Sequence, residues 1–250
     1  MSDHWELYPC SLDGRMAFVT YDHGFSEEAD SLPFANYAGF RAPLRTPTDD
    51  GLPHGAEFDT LGELETLLVD AFGDAAIQVG RVTVGGYRYF HFYTGHDKDT
   101  CRALMGKVSE ASGYELGMAH EPDPERSHYW QTLYPSADDW QVIQDIRVEE
   151  SLREGGDPLS EPREVQHWAY FPTAEARAAF ISKVADLAEL VSVRDDSEAE
   201  DGRFEAILRH VGRPDYRSMN PFTLGLRRAA EEMGGRYDGW ETQVLAGKED

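Results

Sequence analysis

The chain has 250 residues and a formal net charge of −24, from 47 Asp and Glu against 23 Lys and Arg, with 40% hydrophobic and 12% aromatic residues. That much apolar surface offsets the ordering entropy that leaves polar chains disordered, and the length suits two ordinary cores. A cut after Pro135 leaves 9 basic and 22 acidic residues in front and 14 and 25 behind, so both halves are acidic and direct phosphate binding through clustered Lys and Arg is disfavoured.

Cys10 and Cys101 lie far apart and in no CxxC setting, which reads as two reduced thiols. The N-terminal Met1-Ser2-Asp3-His4-Trp5-Glu6 lacks a basic region followed by an apolar stretch. With no segment apolar enough to span a bilayer, a cytoplasmic protein is expected.

Residues 4–9, 15–22 and 37–44 are short aromatic or β-branched runs separated by turn formers such as Leu12-Asp13-Gly14, and predict three strands. Thr60-Leu61-Gly62-Glu63 has the spacing of a capping box, and Leu61, Leu64, Leu68 and Ala71 share a helical face, so a helix is expected from Leu61 to Phe72. Ile77 to Val84 and Tyr87 to Tyr93, joined by Gly85-Gly86, read as a hairpin. A helix with Cys101, Leu104, Met105 and Val108 inward and a strand from Tyr114 to Ala119 follow. The proline-rich, charged Glu121-Pro122-Asp123-Pro124-Glu125 is expected to leave the sheet and begin a connection between domains.

Ser136-Ala137-Asp138-Asp139 predicts the cap of a helix carrying Trp140, Ile143 and Ile146 and ending at Gly155-Gly156. Then come a strand from Val165 to Phe171 and a helix capped by Thr173 with Phe180, Ile181, Val184 and Leu187 inward. Strands through Leu190–Val193 and through Phe204, Ala206 and Leu208 follow. Asn220, with Pro221 at the first helical position, is expected to open the last helix. Trp240, Thr242 and Val244 alternate in a final strand. The fold class expected is α+β: two ferredoxin-like α/β sandwich domains, 1–135 and 136–250, each an antiparallel sheet with helices on one face.

Three pieces resemble a known family. The segment from Arg147 to Gly155-Gly156-Asp157-Pro158, the strand Val165-Gln166-His167-Trp168-Ala169-Tyr170-Phe171 and above all Tyr237-Asp238-Gly239-Trp240-Glu241 are similar to the regulator of ribonuclease E activity, B type. The resemblance covers about the last 110 residues. It implies a small acidic bacterial protein that binds an RNA-cleaving enzyme and inhibits it. The front half, through Val79-Gly80-Arg81-Val82-Thr83 and Phe90-His91-Phe92-Tyr93-Thr94, resembles the domain of unknown function six-ninety-five, which carries no established activity.

No P-loop, dinucleotide-binding glycine pattern, HExxH or GxSxG occurs, so neither a catalytic residue nor a cofactor is expected. His91 and His96 lack Cys or carboxylate partners at zinc spacing, so no metal site is expected. Glu161, Glu164 and His167 could serve as acid and base groups, but strand alternation puts Glu164 and His167 on opposite faces. The run Asp195-Asp196-Ser197-Glu198-Ala199-Glu200-Asp201 reads as a solvated loop able to meet an Arg-rich protein segment in place of RNA. The partner-binding candidates are therefore Asp195, Asp196, Glu198, Glu200, Asp201, Asp238, Trp240 and Glu241, with Trp240 readable as a hot spot or as a core anchor. The partner expected is a ribonuclease with an Arg-rich segment, with no nucleic acid and no membrane contacted directly. An immunity or antitoxin-like protein that neutralises a basic toxin, and an enzyme with an unrecognised site, are the competing readings.

Overall fold

The computed structural model describes residues 4–196 and 203–245. The chain forms two compact units, Met1–Pro135 and Ser136–Asp250. Each contains one antiparallel sheet, giving an α+β fold.

In the first unit β1 (Trp5–Leu12) and β2 (Arg15–Asp22) are followed by a single turn of helix, α1 (Phe25–Glu28), and by β3 (Asn36–Pro43). Then come α2 (Glu57–Phe72), β4 (Ala76–Val84), β5 (Tyr87–Thr94), α3 (Lys98–Ser112) and β6 (Gly117–Pro122). The sheet order is β1-β2-β4-β5-β3-β6. From β3 onward this is a β-α-β-β-α-β unit, and the β1–β2 hairpin extends the sheet beyond β4. Gly85 and Gly86, at φ +57 and +85, make the tight turn between β4 and β5.

One face of this sheet is covered by α2 and α3, where Phe40, Phe90 and Phe92 pack against Leu61, Leu64, Leu68, Phe72, Cys101 and Val108. Helix α2 starts one turn earlier than the Thr60 capping box predicts. Ala56 precedes it without a side-chain cap, and the buried Glu57 carboxylate instead accepts from the backbone N–H groups of Arg45 and Thr46. A long-range contact thus overrides the local cap signal.

The opposite face is closed by a segment expected to leave the domain. Strand β6 continues to Pro122, tolerated because β6 is the edge strand. Beyond it Asp123 and Arg126 are buried, and a π-helical turn, Tyr129–Leu133, seats Tyr129 and Leu133 out of solvent. Asp123 accepts from the Tyr93 hydroxyl and from the N–H groups of Ser127 and His128, while Arg126 donates to the carbonyls of Ala29 and Leu32. Tyr129 donates to the carbonyl of Asp22, and Tyr8 to that of Leu133. Gly80 leaves room for this lid: a Cβ there would stand 2.7 Å from Leu133 Cδ1.

In the second unit α4 (Ala137–Glu154) precedes β7 (Arg163–Phe171), α5 (Ala174–Lys183), β8 (Glu189–Asp196), β9 (Arg203–Gly212), α6 (Tyr216–Glu232) and β10 (Arg236–Thr242). The sheet order is β10-β7-β9-β8, the same split βαβ arrangement. Ser136 and Asp139 form a reciprocal capping box at α4, and Thr173 caps α5. Phe171, Phe180, Ala206, Leu208, Leu226 and Ala230 form the core between the sheet and α5 and α6.

Three expectations are corrected here. Helix α6 opens at Tyr216 behind an Asp215 cap, so Pro221 lies inside it and deprives the carbonyl of Arg217 of its usual N–H partner. Strand β10 ends at Thr242, and Val244 is exposed rather than the apolar mate of Trp240. Asp195 and Asp196 belong to β8, paired with Phe204 and Arg203, instead of opening a loop.

A fragment ending at Pro135 is expected to unfold in one cooperative transition, whereas one ending at Pro122 lacks the Tyr129–Leu133 lid and is expected to lose it. Melting curves of the two fragments, followed by circular dichroism, check this. Equal cooperativity would show that the lid is dispensable.

Candidate protein interface

The residues that carry the family resemblance in the second half lie mostly inside the unit. Trp240 is 6% exposed, and its indole N–H donates to Asp145 Oδ1 at 2.9 Å. Asp145, on α4, is fully buried and accepts three further hydrogen bonds, from Gln141 Nε2 (2.9 Å), Asn220 Nδ2 (3.3 Å) and Thr223 Oγ1 (2.6 Å). All four donors are neutral, and they come from α4, α6 and β10. Burial pushes the Asp145 carboxyl above the usual range, against the lowering effect of the four hydrogen bonds.

A second buried chain runs beside it. His167 on β7 is 1% exposed, with Nδ1 2.8 Å from the Tyr237 hydroxyl and Nε2 2.9 Å from Nδ1 of His210, whose ring stacks on Phe222. Burial first, and the neighbouring His210 second, hold the His167 pKa down at about 3. The ring is therefore neutral at physiological pH. Glu164 lies exposed on the opposite sheet face from His167, so the two do not meet.

The Gly-Asp-Pro stretch is likewise structural. Asp157 accepts from the backbone N–H groups of Leu159 and Leu245 and from the guanidinium of Arg163, fastening the exit of α4 to the start of β7 and the end of β10. Leu159, at φ +58, is held in the left-handed region there.

The outward-facing residues of the sheet are different in kind. On β7 the residues Val165, His167, Ala169 and Phe171 are buried, which turns Glu164, Gln166, Trp168 and Tyr170 to the face without helices. Trp168 stands opposite Gly239, whose φ of +118 accommodates the bulge between Tyr237 and Gly239. Exposed Asp238 lies at that bulge, paired with Arg236, and exposed Glu241 lies opposite Gln166. Arg209, opposite Gln166 on β9, is shared by Glu164 and Glu189. The result is a half-buried indole and phenol ringed by acids and by the arginines paired with them, Arg209 and Arg236, a mixed aromatic and charged face suited to a protein partner.

Of the eight candidates, Asp238 and Glu241 fall on this face, whereas Trp240 points the other way, into the core. Asp195 lies on β8 and forms an ion pair with Arg177, a residue only 9% exposed, so one charge of the acidic run balances a largely buried cation. Asp196 has its backbone in β8. Glu198, Glu200 and Asp201 lie outside the described residues. Trp168 and Tyr170 are not among those eight candidates, yet aromatic residues alternating with Glu164 and Gln166 on the polar side of a strand are a readable signal.

Among the described residues no group of three or more His, Cys, Asp and Glu side chains is placed to hold a metal ion, and no helix is long and apolar enough to cross a membrane. A shallow cleft of about 270 Å³ between α4 and β10, lined by Gln141, Gln144, Arg147 and Asp238, brings no base to a nucleophile.

Comparison with protein families matches residues 3–134 to a family of unknown function (DUF695) and residues 142–242 to regulator of ribonuclease activity B. No curated protein matches the chain. Among solved structures, an unknown protein from Galdieria sulphuraria aligns at 12% identity over 82% of this chain and 96% of its own, with a TM-score of 0.23. A protein provisionally assigned as a glycine cleavage system transcriptional repressor aligns at 7% identity over 85% and 100%, with a TM-score of 0.24. Scores this low carry no argument.

Trp240→Ala removes a core anchor and leaves a buried carboxyl short of a donor, and is expected to cost about 3–5 kcal/mol in denaturant unfolding. His167 has a folded pKa below its unfolded value of 6.5, so its contribution to stability is complete above pH 6.5 and is lost as pH falls toward about 3. Asp145, shifted upward, acts in the opposite sense, its contribution declining as pH rises through its folded pKa. His167→Gln is therefore expected to reduce the acid-side slope of unfolding free energy by up to about 1.4 kcal/mol per pH unit. An unchanged slope would mean that His167 does not titrate on unfolding in that range.

Proposed function

From the premise that the chain belongs to the family of unknown function DUF695, with a second unit matching regulator of ribonuclease activity B, we propose that it regulates RNA decay by binding a ribonuclease. It does so in the cytoplasm, without chemistry of its own. The observation that carries this reading is the division of labour in the second unit. The inward polar groups of the matching motifs, Asp157, His167, Tyr237 and Trp240, are engaged in internal hydrogen bonds, while Trp168, Tyr170, Asp238 and Glu241 of the same motifs stand on the outer face of the sheet.

A protein with net charge −24 attracts basic segments and repels phosphate. The fitting target is an Arg-rich stretch of the nuclease that otherwise holds RNA, and occupying it lowers cleavage by competition. Acidic rim charges act chiefly on the association rate, and a central aromatic residue acts on the dissociation rate.

Purified protein added to a ribonuclease of the E type from the same organism is expected to slow RNA cleavage. The association rate should fall steeply between low and physiological salt as complementary charge is screened over about 10 Å. Asp238→Asn with Glu241→Gln should slow association with little loss of stability, and Trp168→Ala should speed dissociation. Binding equally tight at all salt concentrations and in all these variants would overturn the reading, as would cleavage of RNA by the protein alone.

A further inference from the structure

Among the described residues strand β8 is the last strand of the second sheet, bonded to β9 on one side only. From Glu189 to Asp195 it is exposed, and Leu190, Val191 and Val193 retain 41%, 46% and 47% of their surface. Neither Pro nor Lys guards the stretch Glu189–Asp196. A free edge with uncovered apolar side chains is a template for another strand.

The strand also carries an irregularity that determines what fits. Its register against β9 slips between Leu190 and Ser192, so that Leu190 lies opposite Leu208 while Val193 lies opposite Ala206. Leu208 and Ala206 both belong to the core, hence Leu190 and Val193 share the helix-side face although one number is even and the other odd. By the same register Glu189, opposite Arg209, and Arg194, opposite Glu205, share the outer face.

In a regular strand laid antiparallel on a copy of itself, only positions an even number apart can stand opposite each other with their side chains on one face. The bulge lifts that restriction. With a two-fold axis between Val191 and Ser192, Glu189 stands opposite Arg194 of the second copy and Leu190 opposite its Val193, each on matching faces. Opposite charges meet at both ends and apolar residues meet within. Glu189 and Arg194 are exposed enough to turn outward, their side chains at 68% and 75%, and Arg209 keeps Glu164 if Glu189 shifts.

We propose that β8 is a self-association edge: a second copy of this chain docks antiparallel on it, joining two four-stranded sheets into one across the two-fold axis, with Glu189–Arg194 pairs formed twice. An isologous contact of this kind repeats every interaction, so each substitution counts double.

The test is sedimentation of the full chain over a range of concentrations at physiological salt, where repulsion between the acidic copies is screened beyond about 8 Å. A concentration-dependent dimer is expected. E189R sets Arg against Arg twice and R194E sets Glu against Glu twice, and each is expected to weaken the dimer roughly tenfold. An equimolar mixture of the two restores opposite charges at both ends and should associate about as tightly as the parent. V193K, at a half-exposed position, should also weaken the dimer, and it decides the matter should either charge variant fail to match the parent's circular dichroism. A protein monomeric at its highest soluble concentration would overturn the proposal. So would a dimer indifferent to V193K, or a mixture of folded charge variants no tighter than either alone.

Discussion

The second unit is organised around one buried carboxyl group. Asp145 has no solvent contact and is held by four neutral donors, from Gln141, Asn220, Thr223 and Trp240. An isolated carboxylate in a protein interior costs several kcal/mol unless its lone pairs are satisfied, and a hydrogen bond to a charged group returns about 1.5–3 kcal/mol. The group is therefore tolerable only when α4, α6 and β10 are all in place. That requirement holds β10 against α4 and α6, and β10 is the strand that carries the bulge beside Asp238 and sets Gly239 opposite Trp168.

This arrangement changes how the family motifs are to be understood. Tyr237 and Trp240 read as a surface signature if aromatic residues are taken as hot spots, but both are buried and hydrogen-bonded, to His167 and Asp145. Asp157 in the Gly-Asp-Pro stretch plays a comparable part, holding two backbone N–H groups and Arg163. The acids next to Tyr237 and Trp240 in the chain, Asp238 and Glu241, face outward. A protein that acts by contact can thus keep a constant scaffold and present its charge on residues that cost the fold little.

Periodicity and caps made much of the architecture legible. The spacing of Leu61, Leu64 and Leu68, the capping box of Ser136 and Asp139, and the Gly85-Gly86 turn all depend on neighbours within a few residues, and the structure has them. What the sequence hid depends on distance along the chain. The acceptor of Trp240 is 95 residues away, and two of the three acceptors of Arg126 are 94 and 97 residues away. Pro122, Pro124 and the surrounding charges therefore looked like a linker, although Asp123 and Arg126 are interior groups. At Asn220-Pro221 a strong local start signal lost to Asp215, whose side chain accepts from Ser218 N–H while Glu149 of α4 accepts from Tyr216 N–H. The outward Trp168 and Tyr170 were readable by alternation, but only after β7 had been assigned its buried face.

The central claim is that Asp145 and Trp240 act as one structural unit beneath a separate contact surface. A double-mutant cycle with Asp145→Asn and Trp240→Phe, read in unfolding free energy and in affinity for the ribonuclease, tests it most directly. The account predicts a coupling in stability of about 1–3 kcal/mol and unchanged affinity wherever the variants are folded. Stability effects additive to within about 0.5 kcal/mol, together with lost affinity in a folded Trp240→Phe protein, would contradict it.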